Sequence, residues 1–263
     1  MGITLLIIFS VAMVVSAIGW KKFIYFISIG YGYSIMAIGM AMMIMHYDIM
    51  LWSDFVLSAL LMIYGFRLAT YLLVRELKSK GYREILNANT KQHYPFVKTL
   101  IIWISCALLY LCQTSPLIFG VVNGRESDLW ACIGISVMII GILLEALADR
   151  QKSNAKKLNP DRFVDKGLYR IVRCPNYFGE VLVWTGMVLS GIGSYDTWWQ
   201  WVIALLGYVG IVYIMFSGAR RLELRQEKAY GNDPEYRMYV NNTPILLPFV
   251  PIYSVKKYSW LKG

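Results

Sequence analysis

Ionisable side chains within apolar stretches are the first candidates for chemistry in this sequence, because a charge inside a membrane is costly. The clearest case is Arg67, which lies in a long apolar run. Tyr64, Arg67 and Tyr71 are spaced i, i+3 and i+7, so a helix would carry them on one face. That face would offer two phenols and a guanidinium to a ligand within a helix bundle. Extension of the Arg67 side chain to the membrane surface is the alternative explanation.

A second cluster places two carboxylates next to a run of cations. Glu145 and Asp149 are one helical turn apart, where two negative charges repel each other unless a cation or a ligand lies between them. A solvated, salt-bridged helix end would explain this pattern. In a ligand site, the carboxylates would accept hydrogen bonds from hydroxyls or an amide while the cations hold phosphates. The cations that follow are Arg150, Lys152, Lys156, Lys157 and Arg162.

A third cluster surrounds the predicted start of a helix at Pro175. Asn176 would lie in the first turn, where free backbone N–H groups and the positive end of the helix dipole favour an anion beside Arg170 and Arg173. Glu180 follows one turn into the same apolar helix. Its carboxylate requires a partner, either Arg173 or another basic residue, or a bound ligand.

The overall composition defines the kind of protein that must position these residues. The chain has 263 residues, of which 57% are hydrophobic and 16% are charged. Soluble domains contain about 25% charged residues, so an ordinary soluble domain is excluded. Only helices satisfy their own backbone in lipid over segments this long, which predicts an all-α polytopic membrane protein. The four cysteines lack CxxC spacing and a neighbouring histidine cluster, so we expect neither a metal site nor disulfides.

Seven apolar runs predict seven transmembrane helices. The first run lacks the basic start and the cleavage site of a signal peptide, so we interpret it as a retained span. The runs cover Ile3–Trp20, Phe23–Met45, Met50–Val74, Phe96–Val122, Leu129–Ala148, Tyr177–Ser194 and Trp198–Ser217.

The distribution of basic residues predicts the orientation of these helices. Alternate connections and the C-terminal tail contain 23 of the 26 Lys and Arg, and only Arg125 lies in a connection on the opposite side. The positive-inside rule therefore places the N-terminus outside and the C-terminus in the cytoplasm. Because topology accounts for the net charge of +10, no nucleic-acid partner is expected. No obligate protein partner is evident either.

Two predicted cytoplasmic segments, Arg150–Asn176 and Ala219–Gly263, are too long to be simple connections. We expect the function to lie there, in a cytoplasmic cofactor-binding loop and a C-terminal tail. The sequence shows neither a repeat nor a linker, which predicts a single integral membrane domain over residues 1–263. Its N-terminal spans would cover about 3–148, and its signature and cofactor-binding region about 145–251.

The run Gly-Leu-Tyr-Arg-x-x-Arg-x-Pro-Asn-Tyr-Phe-Gly-Glu, with Glu-x-x-x-Asp upstream and Tyr-Gly-x-x-Pro-Glu-Tyr downstream, resembles the steroid 5-alpha-reductase family. The similarity is greatest to the bacterial branch of that family, known as DUF1295. It implies a reductase of the bacterial inner membrane that uses NADPH. The reaction would reduce a carbon–carbon double bond conjugated to a ketone in a steroid-like or other apolar lipid substrate.

The resemblance also implies roles for individual residues. Tyr64 matches the tyrosine that the family uses as proton donor, and Arg67 matches an arginine that contacts the cofactor. Glu145 stands where steroid-reducing members have Asn, as in the bacterial branch. The residues expected to bind NADPH are Arg67, Glu145, Asp149, Lys156, Arg162, Arg173, Asn176 and Glu180.

One departure leaves the substrate open. Steroid-reducing members polarise the ketone with a Gln-Glu pair in the second span, but Phe23–Met45 contains no carboxylate and only Tyr31 and Tyr33 as ionisable groups. The nearest acid, Asp54, is about one span away from the expected place.

The signature is also similar to that of isoprenylcysteine carboxyl methyltransferases, which use S-adenosylmethionine. Cys174 replaces the histidine of their motif, whereas Asn176 and Glu180 follow the reductase form. Eight basic residues between Arg150 and Arg173 also favour the polyanion NADPH over a cationic cofactor. A methyltransferase is therefore the alternative prediction.

Overall fold

The computed structural model describes residues 1–78, 83, 95–124 and 128–262. These residues form helices and contain no strand, which confirms the predicted all-α fold class for this part of the chain. The predicted basic connection after residue 78 lies largely outside the described residues, as does Arg125. The α-helices are α1 (Gly2–Ser16), α2 (Ile29–His46), α3 (Trp52–Lys78), α4 (Phe96–Asn123), α5 (Asp128–Leu158), α6 (Pro175–Gly191), α7 (Trp198–Tyr230) and α8 (Pro234–Asn242).

Six segments among the described residues are long and apolar enough to cross a membrane, and they correspond to six of the seven predicted spans. The protein is therefore an integral membrane protein. The remaining predicted span coincides with α6, which has 17 residues and lies at the short end of the range of about 17–25 residues for a spanning helix. The number seven stays a prediction. The six segments are Gly2–Trp20, Ile29–His46, Trp52–Lys78, Phe96–Asn123, Leu129–Leu158 and Trp198–Tyr230.

The prediction of one helix over Phe23–Met45 is wrong at its start. A 3-10 helix covers Phe23–Ile27, and Ser28 leaves the helical conformation with φ −131° and ψ −98° before α2 begins. Polar anchors hold this first part of the run, because the ammonium of Lys22 lies 2.5 Å from a carboxylate oxygen of Glu76, which also accepts a hydrogen bond from Tyr25 at 2.8 Å. The bond to Glu76 raises the pKa of Lys22.

Two helices continue well beyond the apolar runs that predicted them. Helix α5 extends past Ala148 to Leu158, and α7 extends past Ser217 to Tyr230. The added residues are mainly Ala, Leu, Glu, Gln, Lys and Arg, which have high helix propensity. The carboxylates of the second cluster and its cations up to Lys157 therefore lie on one helix, and Arg162 follows its end.

The chain forms two compact units, and the boundaries between them fall within α5, α6 and α7. The first comprises Met1–Ile135 and Met187–Tyr208, and the second comprises Ser136–Gly186 and Val209–Gly263. The single-domain interpretation remains a prediction.

Glycines bring α2 and α3 into close contact within the first unit. A Cβ atom added to Gly32 would lie 2.8 Å from the carbonyl oxygen of Gly65, and one added to Gly39 would lie 2.7 Å from that of Ser58. Small residues allow membrane helices to approach this closely. The approach places the side chains of the two helices, including their tyrosines, within contact distance.

Candidate active site

The tyrosine predicted to donate a proton is fully buried in the first unit. The hydroxyl oxygen of Tyr64 lies 3.3 Å from that of Tyr31 on α2. The Tyr31 ring in turn lies 5.2 Å, between centroids, from the ring of Tyr110 on α4. Arg67, one turn along α3 from Tyr64, is partly buried. The predicted face of α3 thus carries a phenol that is shielded from solvent and hydrogen-bonded to a second phenol.

Tyr31 on α2 is the hydrogen-bonding neighbour of Tyr64, a contact between helices that residue spacing alone does not show. It belongs to the second apolar run, which has no carboxylate of its own, and its hydroxyl reaches that of Tyr64. Asp54 is buried at the start of α3, where it accepts a hydrogen bond from the backbone N–H of Leu51 at 3.1 Å. Ten residues of helix separate Asp54 from Tyr64, or about 15 Å along the axis. Asp54 therefore stabilises a helix start and does not substitute for the missing acid.

Three carboxylates lie buried in the second unit, where α5 meets α6. A Cβ added to Gly179 would be 2.8 Å from the backbone nitrogen of Glu145, and one added to Gly141 would be 2.7 Å from the carbonyl oxygen of Gly179. This contact places Glu145 beside the residue that precedes Glu180. Glu145 and Glu180 are 3% and 6% exposed, and Asp149, one turn further along α5, is 7% exposed. Glu145 and Asp149 are therefore buried, and the alternative of a solvated, salt-bridged helix end is wrong for them.

The signature segment packs onto α5 just ahead of α6. Gly167 has a φ of +64°, which an L residue adopts only with strain. The backbone N–H of Leu168 then donates to the side-chain oxygen of Gln151 at 2.9 Å, and the hydroxyl of Tyr169 donates to the carbonyl of Ala148 at 3.3 Å. These bonds bring the signature next to the carboxylate-bearing turn of α5.

Arg173 is held by the C-terminal region of the chain. Its guanidinium donates to Glu223 of α7 at 2.7 Å and to the carbonyl oxygen of Tyr253 at 2.6 Å. The second carboxylate oxygen of Glu223 accepts from the backbone N–H of Val255 at 2.9 Å. Arg173 is therefore paired with Glu223 and not with Glu180. Its Nε and Nη1 atoms are buried and have no hydrogen-bond partner among the described residues.

The backbone of the signature is attached to the same region. The N–H groups of Arg173 and Cys174 donate to the carbonyl oxygens of Pro244 and Ile245, both at 2.9 Å. Burial raises the pKa of the Cys174 thiol to about 11, so this cysteine is a neutral core residue at physiological pH. Helix α6 begins at Pro175, as predicted. Asn176 lies in its first turn, with a buried Oδ1 that has no hydrogen-bond partner in the described part of the chain.

The two predicted phosphate contacts on the second cluster both bind atoms of the protein. The Lys156 ammonium donates to the carbonyls of Pro160 and Arg162 at 2.8 and 2.7 Å and to the hydroxyl of Tyr230 at 2.9 Å. The Arg162 guanidinium, 43% exposed, binds Glu235 at 2.7 Å and Asp165 at 3.0 Å. Hydrogen bonds to Glu235 and then to Asp165 raise the pKa of Arg162. A phosphate at these cations would have to exchange with these partners.

An aromatic cluster supports this part of the second unit. Phe163 packs against the rings of Tyr230, Tyr236 and Tyr239, with centroids 5.3–5.9 Å apart. The Tyr239 hydroxyl donates to the carbonyl of Tyr169 at 2.7 Å. Tyr230 and Tyr236, the two tyrosines of the downstream Tyr-Gly-x-x-Pro-Glu-Tyr motif, thus pack against Phe163, which precedes the signature. No group of His, Cys, Asp and Glu arranged for a metal ion occurs within the described ranges.

Among the predicted residues of the second unit, Glu145, Asp149 and Glu180 are buried where α5 meets α6, and Arg173 and Asn176 adjoin the start of α6. Lys156 and Arg162 are engaged with other partners. The sequence over residues 14–243, which includes all of these residues, matches the family model described as Protein of unknown function (DUF1295). The chain belongs to this family, which is part of the steroid 5-alpha-reductase-like family.

Three curated relatives show weaker similarity. The uncharacterized protein C594.04c of Schizosaccharomyces pombe is 28% identical over 59% of this chain and 50% of its own length. The very-long-chain enoyl-CoA reductase of Dictyostelium discoideum is 28% identical over 45% of this chain and 36% of its own. Steroid 5-alpha-reductase DET2 of Arabidopsis thaliana is 36% identical over 24% of this chain and 27% of its own. The chain thus spans half or less of each relative, and no solved structure gives a significant match.

Proposed function

We propose that this protein is an NADPH-dependent membrane reductase of a carbon–carbon double bond conjugated to a carbonyl group in an apolar lipid. The observation that carries the proposal is the buried set Glu145, Asp149 and Glu180 beside the signature helix, in a family with two named reductases among its matches. One name denotes reduction of a steroid at its 5 position and the other denotes reduction of an enoyl thioester.

The polar atoms around α6 fit a large anionic cofactor. The buried Oδ1 of Asn176 and the Nε and Nη1 atoms of Arg173 have no hydrogen-bond partner within the described residues, and such atoms are destabilising until a ligand or water meets them. We propose that Asn176, Glu145, Asp149 and Glu180 bind the hydroxyl and amide groups of NADPH.

The cations would bind the phosphates of the same cofactor. We assign this role to Lys156, Arg162 and Arg173, with Arg67 as the contact that the family resemblance implies. When bound, NADPH would supply the hydride that reduces the double bond.

Tyr64 is the proposed proton donor to the substrate carbon. Its burial excludes water, and its hydrogen bond with Tyr31 keeps the hydroxyl in one orientation. Because Tyr31 lies in the run that lacks a carboxylate, we assign it as a second donor to the carbonyl oxygen on which negative charge develops.

Titration with cofactors, followed by thermal shift in detergent, tests this assignment, since a ligand that binds only the native state raises its stability. We expect NADPH to bind more tightly than NADH because of its additional phosphate. Replacing Lys156 or Arg162 with Ala should weaken NADPH binding roughly ten-fold or more, through loss of a charge-assisted contact. The neighbouring exposed Lys157 provides the matched control, Lys157→Ala, which should bind like the parent.

Unchanged NADPH affinity in the Lys156, Arg162 and Arg173 variants would reduce these residues to structural and topological roles. The methyltransferase alternative is not favoured by the family or by the named relatives. Tighter binding of S-adenosylmethionine than of either nucleotide would nevertheless establish it and refute the reductase.

We further propose that the chain crosses a bacterial inner membrane seven times. The six candidate spans account for six of these crossings, and α6 would be the additional one. The N-terminus would lie outside and the C-terminus in the cytoplasm, as the asymmetry of the Lys and Arg residues indicates. A reporter that is active only in the cytoplasm should be active when fused to the C-terminus, and a reporter that is active only in the periplasm should be inactive there. Activity of a periplasmic reporter at that end would contradict the topology.

A further inference from the structure

A cavity of about 300 Å³ lies between the second half of α7 and the chain's C-terminal end, entirely within the second unit. Four cations on α7 line it, and Leu224 and Leu261 supply apolar wall. None of these residues belongs to the catalytic or cofactor-binding set proposed above. The four cations are Arg220, Arg221, Arg225 and Lys228.

The acids of the same helix segment do not neutralise this cavity. Glu223 is bound to Arg173 and to the backbone of Val255. Glu227 pairs with Arg237 at 2.6 Å and with Lys256 at 3.2 Å. The positive charge of the cavity is therefore left without a carboxylate from its own helix.

The cavity cations differ in what they bind. Arg220 donates to the carbonyl oxygens of Lys256 at 3.2 Å and Leu261 at 3.4 Å, which ties the C-terminal end of the chain to α7. Arg221, Arg225 and Lys228 take part in none of the ion pairs formed by the described residues. Guanidinium groups with open donors in a concave site are suited to phosphate oxygens.

A buried hydroxyl at the edge of the cavity also points to a ligand. Ser217 lines the cavity and is 2% exposed, yet its hydroxyl has no hydrogen-bond partner in the part of the chain that the structure describes. Buried polar groups in native proteins nearly always have a partner. A phosphate oxygen in the cavity would supply it.

The position along α7 selects the source of that phosphate. The apolar part of the helix ends at Ser217 and its cationic part begins at Arg220, so the cavity lies where the helix changes from lipid-compatible to charged sequence. Basic pockets at such a boundary bind the headgroups of anionic lipids. We propose that this cavity binds the phosphate of an anionic phospholipid, whose acyl chains lie along the apolar part of α7.

The test measures lipid binding to the full-length protein in detergent, by thermal shift, with phosphatidylglycerol, phosphatidylcholine and inorganic phosphate as separate ligands. We expect phosphatidylglycerol to bind at least about ten-fold more tightly than the other two. The double variant Arg221→Gln/Arg225→Gln should lose ten-fold or more of that affinity, since two charge-assisted contacts are removed. The variant Lys166→Gln/Lys257→Gln, with the same charge change at exposed positions outside the cavity, should bind like the parent.

The variant Ser217→Ala measures the contribution of the hydroxyl to lipid binding while the four cations stay in place. Without lipid it should fold and melt like the parent, because the hydroxyl has no intrachain bond to lose, but its affinity for phosphatidylglycerol should fall about three- to ten-fold.

Three outcomes would overturn the proposal. An equal loss of lipid binding in the Lys166/Lys257 control would show attraction to net charge alone. Equally tight binding of inorganic phosphate would make the ligand a soluble phosphate and not a lipid. Loss of NADPH affinity in the Arg221/Arg225 variant, with lipid binding unchanged, would assign the cavity to the cofactor. Failure of the reductase assignment would leave the lipid measurements unaffected.

Discussion

Replacing Tyr64 with Phe should lower turnover by about 10²–10⁴-fold, the usual contribution of general acid catalysis. The substitution removes only a hydroxyl from a fully buried side chain whose oxygen lies 3.3 Å from that of Tyr31. Packing is preserved, and the lost hydrogen bond should reduce the free energy of unfolding by only about 0.5–1.5 kcal/mol. Cofactor affinity should therefore stay close to that of the parent.

The assay follows NADPH oxidation with a panel of apolar substrates that includes a 4-ene-3-oxosteroid and an enoyl thioester. Tyr33→Phe is the matched control, because Tyr33 lies on the same helix as Tyr31 and is not a member of the Tyr31–Tyr64 pair. If Tyr64→Phe keeps near-normal turnover on a substrate that the parent reduces, the phenol is a packing residue. The proton would then come from Tyr31, Tyr71 or bound water.

Replacing Glu223 with Ala should destabilise the protein by about 3–5 kcal/mol, because it leaves a buried guanidinium without its counter-charge. The side chains of Arg173 and Glu223 are 2% and 0% exposed, and the carboxylate also accepts a backbone hydrogen bond from Val255. The free energy of unfolding would be measured in mixed micelles of increasing denaturing detergent.

Glu227 provides the matched control one turn further along α7. Its side chain is 24% exposed in its pairs with Arg237 and Lys256, and exposed pairs contribute only about 0–1 kcal/mol. Glu227→Ala should therefore be mild. The double variant Arg173→Met/Glu223→Leu should recover much of the stability lost in Glu223→Ala, because it removes both charges together. Equal effects at Glu223 and Glu227 would contradict a structural role for the buried pair.

Apolar run length predicted most of the helices but not where they end. The polar ends of α5 and α7 are helical because their residues have high helix propensity. Their charges exclude them from lipid, so the apolar run does not include them. The break at Ser28 was not predicted, since the run contains no charged residue that marks it and the anchor at Glu76 comes from another helix. A tertiary contact accompanies the break at Ser28, whereas local helix propensity accounts for the ends of α5 and α7.

Motif reasoning singled out Glu145, Arg173 and Glu180, but it did not predict what these residues contact. Glu145 lies beside Gly179, the residue before Glu180, because Gly141 and Gly179 allow α5 and α6 to touch, and nothing in the spacing of the acids shows that contact. Glu223 lies in a charged tail that reads as solvated sequence, yet it is the partner of Arg173. Pairs separated by fifty residues become evident only in three dimensions.

The hydrogen bonds from Arg173 and Cys174 to residues 244–253 join segments that are made at different times during translation. All six candidate spans precede Pro244, so they leave the ribosome before the segment that completes the structure around Arg173. The contacts around Arg173 can therefore form only after these six spans have been synthesised. They wait for residues 244–253 to emerge from the ribosome.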